Sequence, residues 1–300
     1  MTRDTARTPA AAASSSAASS SYPAQIEAWR ESRVASLTAP DGWLSVVGLF
    51  WLEEGDNPVG SAPGSRVALP AGTPPRLGVI RLEGGRATLR ATAGAGVSVD
   101  GRAAGAEETL RSDADAGEKG PTVVATGSVR FYLISRQGRL AARVKDPDSA
   151  ARARFRGLTY FPIDPSWRVD ARFEENASPA TVSVPNVLGA ETSERSPGTV
   201  VFERGGKTYR LTPVLEEGET DYFVIFGDAT NGHDTYGAGR FLYVAPPKDG
   251  RTVIDFNKAY NPPCVFTDYA TCPLPPPGNR LPIRVEAGEK AYAHEETGKP

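Results

Sequence analysis

Beyond residue 40 the chain sustains no helical apolar period. It breaks into short alternating or continuous apolar runs, each stopped by a glycine turn. This constrains the fold strongly, because a helix needs apolar residues at three- and four-residue spacing and a half-buried strand needs them at every second position. "GVIRLEGGRATLRAT" alternates on both sides of Gly84-Gly85, a pair able to take the positive φ angles of a tight hairpin. "VRFYLISRQGRLAARVKD" (Val129–Asp146) does the same around Gln137-Gly138. "TVVFERGGKTYRLTPVLEEGETDYFVIFGD" reads as a three-strand meander turning at Gly205-Gly206 and near Gly218. With 31 glycines, 26 prolines and one methionine in 300 residues, composition also favours short strands and turns over a helical bundle.

The exception is "YPAQIEAWRESRVASL", where Ile26, Trp29, Arg30, Arg33 and Leu37 share a face at helical spacing. A helix is expected over 22–38, followed by "GWLSVVGLFWL", whose β-branched and aromatic run predicts a strand buried on both faces. "DPDSAARARFRG" interrupts the strands near residues 147–157. Its alternating Arg152, Arg154 and Arg156 would share one face of a strand, as a charge-guarded edge or as an anion site. The organisation read from these breaks is a disordered tail (1–21), the helix (22–38), a β-sandwich (39–148), a second β domain (149–292) and a short tail (293–300). The fold class expected is mostly β: an antiparallel sandwich followed by a second antiparallel barrel or sandwich, with one N-terminal helix.

A formal charge of −2, with basic residues spread along the chain, argues against a nucleic-acid or membrane-surface partner. No stretch is long and apolar enough to span a bilayer, and the Ala/Ser-rich start lacks the apolar core of a secretory signal. Two cysteines in 300 residues are not a disulfide framework, so a reduced, cytoplasmic setting is the expectation.

Two loops concentrate the residues that chemistry would use. "GDATNGHDTYGAGRF" (Gly227–Phe241) presents Asp228, Thr230, Thr235, Tyr236 and Arg240. It reads either as a loop capping its own backbone or as a polar pocket rim with one strong cation. "DFNKAYNPPCVFTDYATCPLPPPGNRL" adds Asp255, Asn257, Tyr260, Asn261 and Cys264. Its prolines fix φ and remove donors, while its aromatics ask for burial, so it reads as a rigid wall rather than a linker. If the strands 240–245 and 251–256 pair, both loops fall at one end of a sheet. Asp228 and Asp255 would then be candidates for acid–base work or a divalent ion.

Cys264 and Cys272 are separated by seven residues, which fits neither a redox Cys-x-x-Cys nor paired zinc knuckles. Four arrangements suit them: apolar packing, a local disulfide, a Cys264–His233 nucleophilic pair, or a zinc site completed by His233 and His294. Apolar packing is preferred, with neither metal nor cofactor expected.

The segment "NPVGSAPGSRVALPAGTPPRLGVIRLEGGRATLRATAGAGVSVDGR" resembles the forkhead-associated β-sandwich, a family that binds phosphothreonine. The family's arginine after the first glycine is Ser61 here, and Pro75–Gly78 stand where its serine and histidine belong. No asparagine occurs between Arg66 and Arg102, so the resemblance implies the scaffold without phosphopeptide binding. "GWLSVVGLFWLEEGDNPVGS", "FRGLTYFPIDPSWRVDARF", "GDATNGHDTYGAGRFLYV" and "DFNKAYNPPCVFTDYATCPLPPPGNRLPIRVEAGE" resemble, over roughly 26–290, the bacterial and archaeal domain-of-unknown-function family numbered 1684. That resemblance implies no activity. The functional expectation is a small-ligand pocket, binding or catalytic, in the C-terminal β domain, with Arg240 favouring an anionic ligand; the alternative is a structural or protein-interaction module.

Overall fold

The computed structural model describes residues 21–292 apart from residues 116 and 217. The tails expected at 1–21 and 293–300 lie outside the described residues except for Ser21, as does His294. Helix α1 (Tyr22–Thr38) begins with proline in its first turn, where a missing N–H costs nothing. It ends at Ala39, held extended by Pro40. Its inward face buries Ile26, Arg33 and Leu37.

A 3₁₀ turn at Trp43–Ser45 leads into a two-sheet sandwich. Its strands are β1 (Val46–Trp51), β2 (Gly55–Gly60), β3 (Val67–Ala68), β4 (Gly78–Glu83), β5 (Arg86–Ala91), β6 (Val97–Val99), β7 (Arg102–Ala103), β8 (Glu108–Leu110), β9 (Val124–Thr126), β10 (Val129–Arg136) and β11 (Arg139–Lys145). One sheet has the order β1-β11-β10-β9-β6-β7, the other β3-β2-β4-β5-β8. Inward residues alternate as the pattern predicts: Ile80 and Leu82 on β4 meet Phe131 and Leu133 on β10 in one core. Gly84 and Gly85 turn the β4–β5 hairpin at φ +54° and +82°, the left-handed values its two-residue loop requires. The strand buried on both faces is β11 rather than β1: Ala142 and Val144 face the sandwich core, while Ala141 and Arg143 are buried on its other side. The stretch 43–51 instead splits into the 3₁₀ turn and β1, whose second half is only half-buried.

A short helix, α2 (Ala150–Arg154), replaces the expected edge strand. Ser149 accepts from the Arg152 N–H and caps a helical turn, so the alternating arginines do not share a strand face. Arg152 reaches the carbonyls of Thr38 and Pro147.

Six further strands follow among the described residues: β12 (Arg168–Pro185), β13 (Glu191–Arg204), β14 (Lys207–Leu211), β15 (Tyr222–Phe226), β16 (Arg240–Val244) and β17 (Arg251–Asp255). They form a sheet ordered β14-β13-β12-β17 and a separate ribbon, β15-β16. Two expectations are corrected here. The meander breaks after β14, because β15 leaves for the ribbon, and β17 pairs with β12 rather than β16. The reason is burial. "YFVIF" and "RFLYV" are apolar at consecutive positions and suit a ribbon covered on both faces, whereas β17 alternates and suits a sheet with one face in water. Phe226, Val224, Leu242 and Val244 pack with Phe202 and Phe256 on one side of the ribbon. Phe223, Ile225 and Phe241 pack on its other side with Leu37, Trp43 and Leu44, joining the C-terminal unit to α1 and the entry to the sandwich.

Candidate functional site

The loop 227–241 is organised by its own side chains. Asp228 Oδ1 accepts from the N–H of Thr230 (2.8 Å), its hydroxyl (2.6 Å) and the N–H of Val285 (3.1 Å). Thr230 and Thr235 share a hydroxyl–hydroxyl bond of 2.8 Å. Gly239, at φ +107°, lets this loop pass the wall segment; a Cβ there would lie 2.6 Å from both the Phe226 carbonyl and the Pro275 ring.

Arg240 is fully buried, and its Nη2 donates to Asp228 Oδ2 (2.9 Å) and to the Val285 carbonyl (2.8 Å). Its Nη1 donates to the carbonyls of Ala287 and Glu289. Both terminal nitrogens are thus committed to the protein, which differs from the expectation that the guanidinium offers its fork to a ligand. Burial lowers the Arg240 pKa, opposed by the neighbouring Asp228 carboxylate.

The lock continues through Glu289, which is fully buried and accepts from Arg33 Nε (2.9 Å) and the Asn261 N–H (2.8 Å). Arg33 Nη2 donates to the Asn261 carbonyl and its guanidinium lies 4.6 Å over the Tyr260 ring. Asp255 belongs to a different cluster, accepting from the Tyr22 hydroxyl (2.8 Å) and the Asn257 N–H (3.1 Å). Asn257 ties that cluster to the Asp164 backbone. Asp228 and Asp255 therefore serve separate partners. Among the described residues no group of three or more His, Cys, Asp or Glu is placed to hold a metal ion.

The proline-rich segment packs against the ribbon. Tyr260 exchanges two backbone hydrogen bonds with Phe241, both 2.9 Å. Cys264 follows Pro262-Pro263 in a 3₁₀ turn, and its N–H donates to Cys272 Sγ at 3.1 Å. Both cysteines are free thiols. The neighbour that the 227–241 loop supplies to Cys264 is the Tyr236 hydroxyl, while His233 is exposed.

One side of this wall closes a cavity of about 240 Å³. The wall contributes Pro263, Thr271, Cys272 and Pro273, and the ribbon contributes Phe241. Trp43 comes from the 3₁₀ turn and Ser135, Arg136 and Gln137 from the end of β10, so both β units line it. Thr192 and Glu194 enter from β13, and Glu216 from the connection between β14 and β15. The β12–β13 hairpin tip stands at the rim: Asn186 lines the cavity, and the Val187 N–H donates to the Cys272 carbonyl at 3.0 Å.

The electrostatics are acidic. Glu194 and Glu216 are 9% and 8% exposed. Burial raises the Glu216 pKa, against a hydrogen bond from the Tyr243 hydroxyl (2.8 Å) that lowers it. The Glu194 charge adds to the rise. The cavity's guanidinium, Arg136, is paired with Asp113 at 2.8 Å and also reaches Thr271 at 3.2 Å. Behind Trp43, Arg143 is fully buried with its guanidinium 5.1 Å from that ring, and burial pushes its pKa down to about 9.

None of the ten residues proposed from sequence as ligand-binding lines this cavity, although Cys272 and the prolines beside it in the wall do. Glu194 carried a usable signal. Counting back in twos from buried Val200 through Gly198 and Ser196 places its carboxylate on the inward face, where a charge needs a reason. Glu216 and the Ser135–Gln137 corner carry no such signal, because only the tertiary fold brings them together.

Residues 153–290 match the model of a family described as a protein of unknown function, DUF1684. This part of the chain belongs to that family. The matched stretch is shorter than the 26–290 expected from the motifs. It contains Asp228, Arg240 and Glu289 of the lock, whereas Arg33 lies before it. It supplies Glu194, Glu216 and the proline-rich wall to the cavity, while Trp43 and Ser135–Gln137 come from outside the DUF1684 segment. A solution NMR structure of the uncharacterized protein from gene locus rrnAC0354 of Haloarcula marismortui is 32% identical, over 46% of this chain and 78% of that one, with a TM-score of 0.40. No curated protein matches the chain.

Proposed function

We propose that the protein binds a small polar ligand in the cavity between its two β units. The observation that supports this is a recess of about 240 Å³ in which Glu194 and Glu216 converge with the apolar faces of Trp43 and Phe241. Concave, largely apolar sites with a few convergent polar groups are where small molecules bind, and this volume lies below the ~300–1,000 Å³ of drug-sized pockets. A neutral polyol or an amine suits it better than the anion expected from Arg240. That arginine is outside the cavity, and Arg136 is already paired with Asp113. Glu216, held toward its protonated form by burial, suits donation to a ligand oxygen or acceptance from an amine.

A thermal-shift screen of the full chain against amines, polyols, carboxylates and phosphates tests this, because a ligand that binds the folded state raises its Tm. Amines or polyols should raise the Tm. Thr192→Trp, which fills the cavity, should abolish the rise, and Glu216→Gln should weaken binding at least tenfold, ~1.4 kcal/mol. A ligand whose effect survives Thr192→Trp, or hits confined to anions, would sink the reading.

A further inference from the structure

We propose that Cys264 and Cys272 form a redox-modifiable dithiol, closed to an intramolecular disulfide by a peroxide. The idea does not depend on a ligand in the cavity. It rests on a prearranged geometry: residues eight apart in sequence are folded so that Cys272 Sγ sits 3.1 Å from the Cys264 amide nitrogen.

The surroundings hold the two sulfurs there. Pro262 and Pro263 precede Cys264 and Pro273 follows Cys272, fixing φ on both flanks. The Val265 and Phe266 N–H groups close the 3₁₀ turn on Pro262 and Pro263, and Thr267 Oγ1 donates to the Val46 carbonyl at 3.1 Å. On the other strand of the loop the Cys272 carbonyl is held by the Val187 N–H, and the Leu274 N–H donates to Pro185. The segment between the thiols is therefore tied at both ends and in its middle, which keeps Cys272 Sγ beside Cys264 in the folded chain.

The two sulfurs differ in the way an attacking and a resolving thiol should. Cys264 is half-buried, so a small oxidant can reach it, while Cys272 is 4% exposed and borders the cavity. Hydrogen bonding from the Cys272 thiol, with the Tyr236 hydroxyl adding to it, lowers the Cys264 pKa, whereas burial raises that of Cys272. The chemistry balances with hydrogen peroxide as the named oxidant. The Cys264 thiolate attacks one peroxide oxygen, the O–O bond breaks, and Cys264 sulfenic acid and hydroxide form. Cys272 sulfur then attacks the sulfenic sulfur, the S–O bond breaks, and the departing hydroxide takes up the Cys272 proton as water. In sum, two thiols and one peroxide give one disulfide and two waters.

The test treats the full chain with hydrogen peroxide at a small molar excess and follows free thiols and intact mass. The expected result is loss of both thiols with a 2 Da decrease, a peptide linking Cys264 to Cys272, and full recovery with dithiothreitol. In Cys272→Ser, Cys264 should accumulate as a sulfenic acid that dimedone traps. In Cys264→Ser, Cys272 should stay reduced at least tenfold longer. Persistence of both thiols in the folded wild-type chain, disulfides only between chains, or direct overoxidation without the internal link would each overturn the proposal. The wild-type measurement decides the matter even where a variant fails to fold.

Discussion

Besides exposed pairs such as Arg172–Glu174, the C-terminal unit holds ion pairs that are completely buried, and several pairs of the sandwich make the contrast with them. In the sandwich, Arg81 pairs with Asp56 and Glu83, Arg90 with Glu107 and Arg102 with Glu108, each with at least one partner well exposed. In the C-terminal unit, the side chains of Arg240 and Asp228 are both 0% exposed, and that of Arg33 from α1 meets that of Glu289 at 2% and 0%. The difference follows from what each unit has to satisfy. The sandwich meets most of its backbone groups with strand ladders, so these three arginines are free to stay in water. Residues 285–289 cross the C-terminal unit outside any sheet, and their carbonyls still need donors. Carbonyls at alternate positions of an extended segment face the same way, and those of Val285, Ala287 and Glu289 all accept from the one guanidinium of Arg240. The arginine takes the place of a missing neighbour strand, and Asp228 offsets the cost of burying its charge.

Loss of a buried partner should cost most at Asp228. Asp228→Ala leaves a buried guanidinium without its counter-charge, which costs about 3–5 kcal/mol. It also strips the Val285 N–H of its acceptor. The expected outcome is a large fall in the urea midpoint of the C-terminal unit; a loss no bigger than that of a surface pair would erase the distinction drawn above. Arg240→Lys is the next test. It keeps the charge but replaces a fork bridging three carbonyls and a carboxylate with a single ammonium, so about 2 kcal/mol should be lost. Full retention of stability would show that charge alone, not the bridging geometry, matters.

A smaller effect separates the lock from the cavity. The Glu216 pKa is raised above its ordinary 4.5, so the folded state binds its proton more tightly than the unfolded chain does. Its contribution to stability is present below that ordinary value and is lost as pH rises through the folded pKa. Glu216→Gln should therefore stabilise the protein slightly at neutral pH, with no difference from wild type in acid. A variant less stable than wild type at neutral pH would mean that the ionised carboxylate is needed for folding.

What could be read from the sequence was what local geometry decides. The helix follows from the spacing of Ile26, Arg33 and Leu37, and the hairpins from Gly84-Gly85 and Gln137-Gly138, because each depends on residues within one turn or one strand. The prolines around Cys264 already marked a stiff, packed segment. Partner choice was not legible: β16 reads as a strand, yet nothing within it says that its strand partner is β15 and that β17 belongs to β12. The same holds for Arg240. Next to Asp228, Thr230 and Asn231 it reads equally as a pocket cation or as a brace, and the carbonyls that make it a brace lie 45 to 49 residues away.

Loss of Arg81, an exposed arginine of the sandwich, should cost almost nothing. Arg81 makes two short contacts, to Asp56 at 2.9 Å and Glu83 at 2.6 Å, which on paper look as good as those of Arg240. Its side chain is 37% exposed, however, and those of its partners 59% and 65%, so water and salt compete for every one of these groups. The hydrogen bond from Arg81 lowers the Glu83 pKa from its ordinary 4.5. Any stability this brings is present above that value and is lost as pH falls through the lowered one. Arg81→Ala should therefore leave the urea midpoint of the sandwich unchanged within error at neutral pH and moderate salt. Any difference seen at low ionic strength should vanish when salt is added or when Glu83 is protonated. A midpoint that falls as far as in Asp228→Ala, and stays down in high salt, would show that contact geometry rather than burial sets the worth of these ion pairs.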